Sequence, residues 1–218
     1  MEQVDIHTVI ATLREEYKGW QTPAVTIVAQ CLHSPFKVLI ACIISLRTKD
    51  EVTALASARI FARAQTPEEM VKLSVDEISQ LIYPAGFYRT KAAQIALLSQ
   101  RLVDEYHGLV PDSIDELLSF KGVGRKTANL VVTLGFGKPG ICVDIHVHRI
   151  CNRLGYVTTK KPDETEQVLR AQLPPEYWIG INDLLVAFGQ NHCHPVSPRC
   201  SNCRLSGICG RVGVKASR

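Results

Sequence analysis

Apolar residues recur at helical spacing along almost the whole chain. In MEQVDIHTVIATLREEYKGW, Ile6, Val9, Ile10, Leu13 and Tyr17 fall on one helical face and predict an amphipathic helix. FKVLIACIISL is apolar nearly throughout and predicts a helix buried on all sides. Helix starts recur at Ser34-Pro35, Thr66-Pro67-Glu68-Glu69, Ser74-x-x-Glu77 and Ser113-x-x-Glu116. Each pairs an N-cap with proline at the first helical position or glutamate at the third. Apolar positions follow at the same period, as in Ile114, Leu117 and Leu118, or Leu130, Val131 and Leu134. Gly86, Gly108, Gly135 and Gly155 mark stops. The β-branched run Val25-Thr26-Ile27-Val28 is strand-like, but no other run offers it a sheet. No period of roughly 20–50 residues repeats, and no low-complexity linker divides the chain. The pattern predicts an all-α protein, any second domain sharing helices closely with the first.

Composition changes this picture little. Of 218 residues, 46% are apolar and 21% charged, as in an ordinary globular protein. The net charge of +4 does not by itself indicate a nucleic-acid partner. Its distribution says more. Asp183 is the last acidic residue, and Arg199, Arg204, Arg211, Lys215 and Arg218 follow it. Such a one-signed end is either a footprint for phosphate or a solvated tail. No run approaches the ~18 apolar residues of a membrane span, and no secretory signal is evident. The cysteines are therefore expected in a reducing compartment.

Four cysteines, Cys31, Cys42, Cys142 and Cys151, are scattered among aliphatic residues and read as small core hydrophobes. The other four, Cys193, Cys200, Cys203 and Cys209, are spaced C-x6-C-x2-C-x5-C and predict a metal site. Structural zinc usually takes two short chelating pairs, and only one exists here. Iron–sulfur clusters accept compact, uneven runs. The spacing favours a cluster and leaves zinc open. His192 and His194 flank Cys193 and read as exposed loop histidines, since four thiolates already complete a coordination sphere.

Residues 113–137 predict a helix (IDELLSF), a tight KGVG turn and a second helix (RKTANLVVTLGF). The turn lacks the third glycine of G-x-G-x-x-G and the frame of a P-loop. The backbone N–H groups of Gly122, Val123 and Gly124, with the positive end of the second helix, make an anion site suited to a DNA phosphate. A turn with no ligand is the alternative. Lys126 lies in the first helical turn, where the dipole, Arg125 and Lys121 all oppose its charge. Its pKa is expected to fall, and a neutral amine is a nucleophile able to form a Schiff base with a sugar carbon. A phosphate-binding lysine is the plainer reading. In ICVDIHVHRICNRLG, Asp144 either caps the helix that follows or stabilises a cation-like sugar beside Lys126.

FKGVGRKTANL, then VDIHVHR, then C-x6-C-x2-C-x5-C, in that order, resemble the endonuclease III family of helix–hairpin–helix DNA glycosylases. The resemblance runs roughly from Pro35 to Cys209. It implies a two-lobed all-α fold with DNA across the cleft. A six-helix lobe at 28–138 would carry the hairpin (about 113–137). A second lobe, from 1–27 and 139–218, would hold a [4Fe-4S] cluster on the loop 193–209, with Cys193, Cys200, Cys203 and Cys209 as ligands. It implies a bifunctional glycosylase and AP lyase acting on double-stranded DNA with damaged pyrimidines or abasic sites. Lys126 would be the nucleophile and Asp144 the catalytic aspartate. Lys121, Gly122, Val123, Gly124, Arg125, His146, Arg199 and Arg204 would meet DNA. Arg47 and Phe87 would fill the gap left by the extruded nucleotide, where the family pattern has glutamine and leucine. Lys121 replaces the usual proline, which predicts a looser hairpin with an added cation. A cytoplasmic, nucleoid-associated monomer is expected. A monofunctional mismatch (thymine, uracil or adenine) glycosylase, which would replace Lys126, and a non-enzymatic DNA-binding module with structural zinc are the alternatives.

Overall fold

The computed structural model describes residues 4–20, 22–32 and 34–218. Every regular element among them is helical. The chain divides into two compact units, Ala24–Gly140 and Met1–Pro23 with Ile141–Arg218.

The unit Ala24–Gly140 holds α2 (Ala24–Leu32), α3 (Pro35–Ser45), α4 (Asp50–Phe61), α5 (Pro67–Met70), α6 (Val75–Ile82), α7 (Tyr88–Tyr106), α8 (Ile114–Leu118) and α9 (Arg125–Leu130). Helix α3 is the expected central one: Val38 through Ile44 are all buried, and α2, α4, α7 and α9 pack on it. Truncating Ile43 or Ile44 to alanine would cost about 2–5 kcal/mol. The strand-like run 25–28 lies inside α2, which packs on α3 and α4 and buries the adjacent Val28 and Ala29. Three predicted caps form. Ser34 accepts from Lys37 N–H (3.4 Å), Thr66 from Glu69 N–H (3.3 Å), and Ser74 makes a full capping box with Glu77. Ser113 takes the extended N-cap backbone, but its hydroxyl makes no cap bond. Helix α7 buries Ala92, Ile95, Leu98, Ser99 and Leu102 as one stripe and ends in left-handed His107 and Gly108. Helix α9 passes without a break into a π-helical turn, Val131–Gly135.

The unit of residues 4–23 and 141–218 holds α1 (Ile6–Tyr17), α10 (Ile145–Leu154), α11 (Pro162–Gln172) and α12 (Ile181–Asn191). The predicted face of α1, Ile6, Val9, Ile10 and Leu13, is buried in a core shared with Val147, Ile150, Leu154, Leu169, Leu185, Phe188 and Leu205. Gly155 closes α10 at φ 82°, a left-handed conformation that favours glycine. Residues 192–218, with the four clustered cysteines, form no regular helix. Cys42, Cys142 and Cys151 are buried as expected, and the Cys31 side chain lies outside the described residues. Among the described residues no helix is long and apolar enough to cross a membrane.

Candidate functional site

The turn between α8 and α9 is anchored from beneath. Leu117, Phe120 and Val123 are buried. The Arg101 guanidinium of α7 lies 4.5 Å from the Phe120 ring centroid and donates to the Ser119 carbonyl at 2.9 Å. The two glycines between these anchors differ. Gly122 sits at φ 82°, and a Cβ there would stand 2.2 Å from Gln94 Nε2. The left-handed backbone favours glycine there. Gly124 has φ −96° and ψ 174°, open to any residue, and a Cβ would meet nothing within 4 Å. Lys121, Gly122 and Gly124 are exposed.

Gly124 is the N-cap of α9, and no side chain caps that helix. Its first-turn N–H groups have no acceptor within the helix and form its positive end. Arg125 and Lys126, half-buried, open the helix, and no acidic residue offsets them in its first turn. Cys42 of α3 lies within electrostatic reach of Lys126. Burial pushes its thiol up to about 12, and the lysine charge pulls the other way.

Asp144 is the N-cap of α10. Its Oδ1 accepts from His146 N–H at 2.8 Å and Val147 N–H at 2.9 Å, and the residue is buried. Capping is thus a demonstrated role for one carboxylate oxygen. Ile145 is exposed, and His146 is half-buried with Nδ1 3.1 Å from an Arg149 amino group. That amino group donates to the Cys193 carbonyl at 2.9 Å. Gly189 of α12 makes room for this pair, since a Cβ there would lie 2.2 Å from His146 Nδ1.

Cys193, Cys200, Cys203 and Cys209 line one cavity with Ile150, Leu154, Phe188 and Leu205. Arg153 donates to Cys193 Sγ at 3.3 Å, and the Arg211 N–H to Cys209 Sγ at 3.4 Å. Burial raises the Cys203 thiol to about 11 and also raises Cys209. Among the described residues no three Cys, His, Asp or Glu side chains form a group able to hold a single ion. The flanking histidines are not exposed, contrary to expectation. His192 caps α12 and stacks on Phe188 (5.7 Å, 12°), because its ring covers an apolar surface. Arg199 and Arg204 are exposed, Arg204 within electrostatic reach of Glu15. The basic end is no loose tail: Arg218 N–H donates to Pro198 O at 2.8 Å, and Ser201 N–H to Arg218 O at 2.9 Å.

Arg47 and Phe87 both take left-handed backbone, φ 53° and 57°. The Arg47 guanidinium lies 5.5 Å from the Phe87 ring centroid, with Phe87 63% exposed. The two departures from the family pattern therefore form one cation–π pair.

Residues 40–175 match the model of the HhH-GPD superfamily of base excision DNA repair proteins. The chain belongs to the HhH-GPD superfamily. Among HhH-GPD relatives, endonuclease III of Thermotoga maritima is 48% identical over 175 residues, 80% of this chain and 82% of that protein. Endonuclease III homolog 1, chloroplastic, of Arabidopsis thaliana is 43% identical over 80% of this chain, which spans 48% of that longer protein. A solved structure of a trapped endonuclease III–DNA covalent intermediate superposes with a TM-score of 0.82 at 34% identity, over 94% of this chain and 93% of that one.

Within the HhH-GPD fold the sequence reading located the hairpin, the α9 start, the Asp144 cap and the cysteine loop. It missed Lys91, a buried lysine on α7 that reaches the Arg47 loop. One signal was present: Lys91 sits on the face of Ala92, Ile95 and Leu98, where a lysine is out of place.

Proposed function

We propose that this HhH-GPD protein is a bifunctional DNA glycosylase and abasic-site lyase of base excision repair, acting on oxidised or damaged pyrimidines in duplex DNA. The observation that carries the reading is Lys126 in the first turn of the hairpin helix, in a chain related to an enzyme trapped covalently on DNA. The neutral Lys126 Nζ attacks C1′ of the extruded nucleotide. The N–C1′ bond forms as the glycosidic bond breaks, and the base leaves with the bonding electrons and takes up a proton. The sugar ring opens to a Schiff base on Lys126. Removal of a C2′ proton then expels the 3′ phosphate and nicks the strand. The Asp144 carboxylate, its Oδ1 oriented by two N–H donors, offsets positive charge developing on the sugar.

The other site residues bind and position. Gly122, Gly124 and Arg125 present backbone N–H groups to phosphate, with Lys121 beside them; Val123, expected to join them, instead donates its N–H to Phe120 O at 3.0 Å and anchors the turn from its buried side. His146, Arg199 and Arg204 add contacts, and Arg47 with Phe87 fills the gap in the stack. Cys193, Cys200, Cys203 and Cys209 hold a [4Fe-4S] cluster. Four thiols lining one cavity suit a body in which each thiolate would bind a separate iron. When bound, the cluster supplies a four-point thiolate tie across 193–209. The protein acts in the cytoplasm, on the nucleoid, as a monomer. A panel of damaged duplexes tests the function. The wild type should release oxidised pyrimidines and nick the strand, and Lys126→Ala should lose at least about a thousandfold in rate. Base release without strand scission by the wild type would instead place it among the monofunctional glycosylases.

A further inference from the structure

Lys91 lies in the first turn of α7, and its Nζ points away from that helix toward the end of α3. The side chain is almost sealed from solvent, at 4% exposure. Nζ donates to Ile44 O at 2.6 Å, Leu46 O at 2.6 Å and Thr48 Oγ1 at 2.9 Å. Thr48 Oγ1 also accepts from Gly86 N–H at 3.1 Å.

These bonds complete the C-terminus of α3. A helix leaves its last four carbonyls without intrahelical donors. Here Cys42 O accepts from Ser45 Oγ, Ile43 O from Leu46 N–H and Ser45 O from Thr48 N–H. Ile44 O is supplied by Lys91. A cation at this end also complements the α3 dipole, whereas beside the start of its own helix it is opposed. Burial lowers its pKa to about 8, so the fold retains a charge that costs stability where it stands.

The consequence falls on Arg47 and Phe87. Arg47 stands between Leu46 and Thr48, both held by Lys91. Phe87 follows Gly86, which is held by Thr48. Gly86 approaches so closely that a Cβ there would lie 2.4 Å from Arg47 O. Both Arg47 and Phe87 keep left-handed backbone, which persists only where the surroundings impose it.

We infer that Lys91 is a positioning residue: through Thr48 and Gly86 it locks the Arg47 loop and the Phe87 loop into one unit and so sets the geometry of the pair that fills the DNA stack. The inference rests on reading Arg47 and Phe87 as that pair. Lys91 touches no reacting atom. It affects the step that extrudes a nucleotide from a duplex and leaves the chemistry at Lys126 alone.

The test separates these steps. Lys91→Met and Thr48→Val are compared with wild type on two substrates. One is a duplex with an oxidised pyrimidine opposite 2-aminopurine, whose fluorescence reports unstacking. The other is a single-stranded oligonucleotide with an abasic site, which has no partner strand and needs no gap filled. Both variants should excise from the duplex at least about tenfold more slowly and lose the fluorescence rise. Borohydride trapping on the single strand should stay within about twofold of wild type. Equal losses on both substrates, or no loss on either, would overturn the inference. If Lys91→Met does not fold, Thr48→Val decides alone. An Arg47→Ala/Phe87→Ala variant run alongside distinguishes the two failures. Normal duplex excision by that variant would show that the pair itself was misread.

Discussion

The two hairpin glycines give opposite predictions for the same substitution. Gly122→Ala places a Cβ on a residue at φ 82°, 2.2 Å from Gln94 Nε2. Left-handed backbone costs an L-residue about 1–2 kcal/mol. The contact adds little, because the obstructing atom ends a flexible side chain. For a chain of this size that cost lowers Tm by about 2–8 °C. Gly124→Ala places its Cβ in open space on ordinary extended backbone. The gain from restricting the unfolded chain and the poorer N-cap nearly cancel, leaving stability within about 0.5 kcal/mol. That open space is, on the account above, where a DNA phosphate approaches. Losing one hydrogen bond to a charged group costs about 1.5–3 kcal/mol, or at least about tenfold in affinity. Thermal melting and fluorescence anisotropy on a duplex carrying an abasic analogue measure both effects. Gly122→Ala should melt lower, while Gly124→Ala should melt as wild type and bind weakly. Wild-type DNA affinity in Gly124→Ala would refute the argument that its bare backbone is kept for phosphate.

Other predictions follow from separate parts of the molecule. Arg199→Ala with Arg204→Ala should lower the slope of log affinity against log salt by about 2, as befits two lost phosphate contacts; an unchanged slope would remove them from the interface. The purified protein should be brown with a broad visible absorption band, and Cys203→Ser should lose it; a colourless protein with stoichiometric zinc would reverse the cluster assignment. Cys42 and Cys151, each raised to about 12 by burial, should resist alkylation at pH 8 until the protein unfolds. Lys91 is lowered from 10.5 to about 8 by burial, so between those values the unfolded chain binds more protons than the folded one. Stability of the wild type relative to Lys91→Met should therefore rise with pH across that window, by up to about 3 kcal/mol, in denaturant titrations. A flat difference would mean that the buried amine keeps its ordinary affinity for protons.

The parts of the fold legible in the sequence are those set by local physics. The Ser74 capping box, the Thr66-Pro67 start and the buried run of α3 depend on residues within a few positions of one another. The run 25–28 read ambiguously because β-branched residues suit a strand until packing on α3 decides for a helix. The cysteine spacing predicted a metal loop but could not show Arg153 donating to the Cys193 sulfur, since that partner lies 40 residues away in the chain. Arg47 and Phe87, 40 positions apart in the chain, share an expected role, but no contact between them is legible in the sequence. Only their shared left-handed backbone and the bridge through Lys91, Thr48 and Gly86 make them one feature.

The central claim is that the Lys126 amine forms the covalent bond to the sugar. Its most direct test is borohydride reduction of the protein on abasic duplex DNA, followed by digestion and mass spectrometry of the adduct. The account predicts a single sugar-derived adduct on Lys126 and no trapped complex with Lys126→Ala. An adduct on any other amine, or undiminished trapping in that variant, would contradict it.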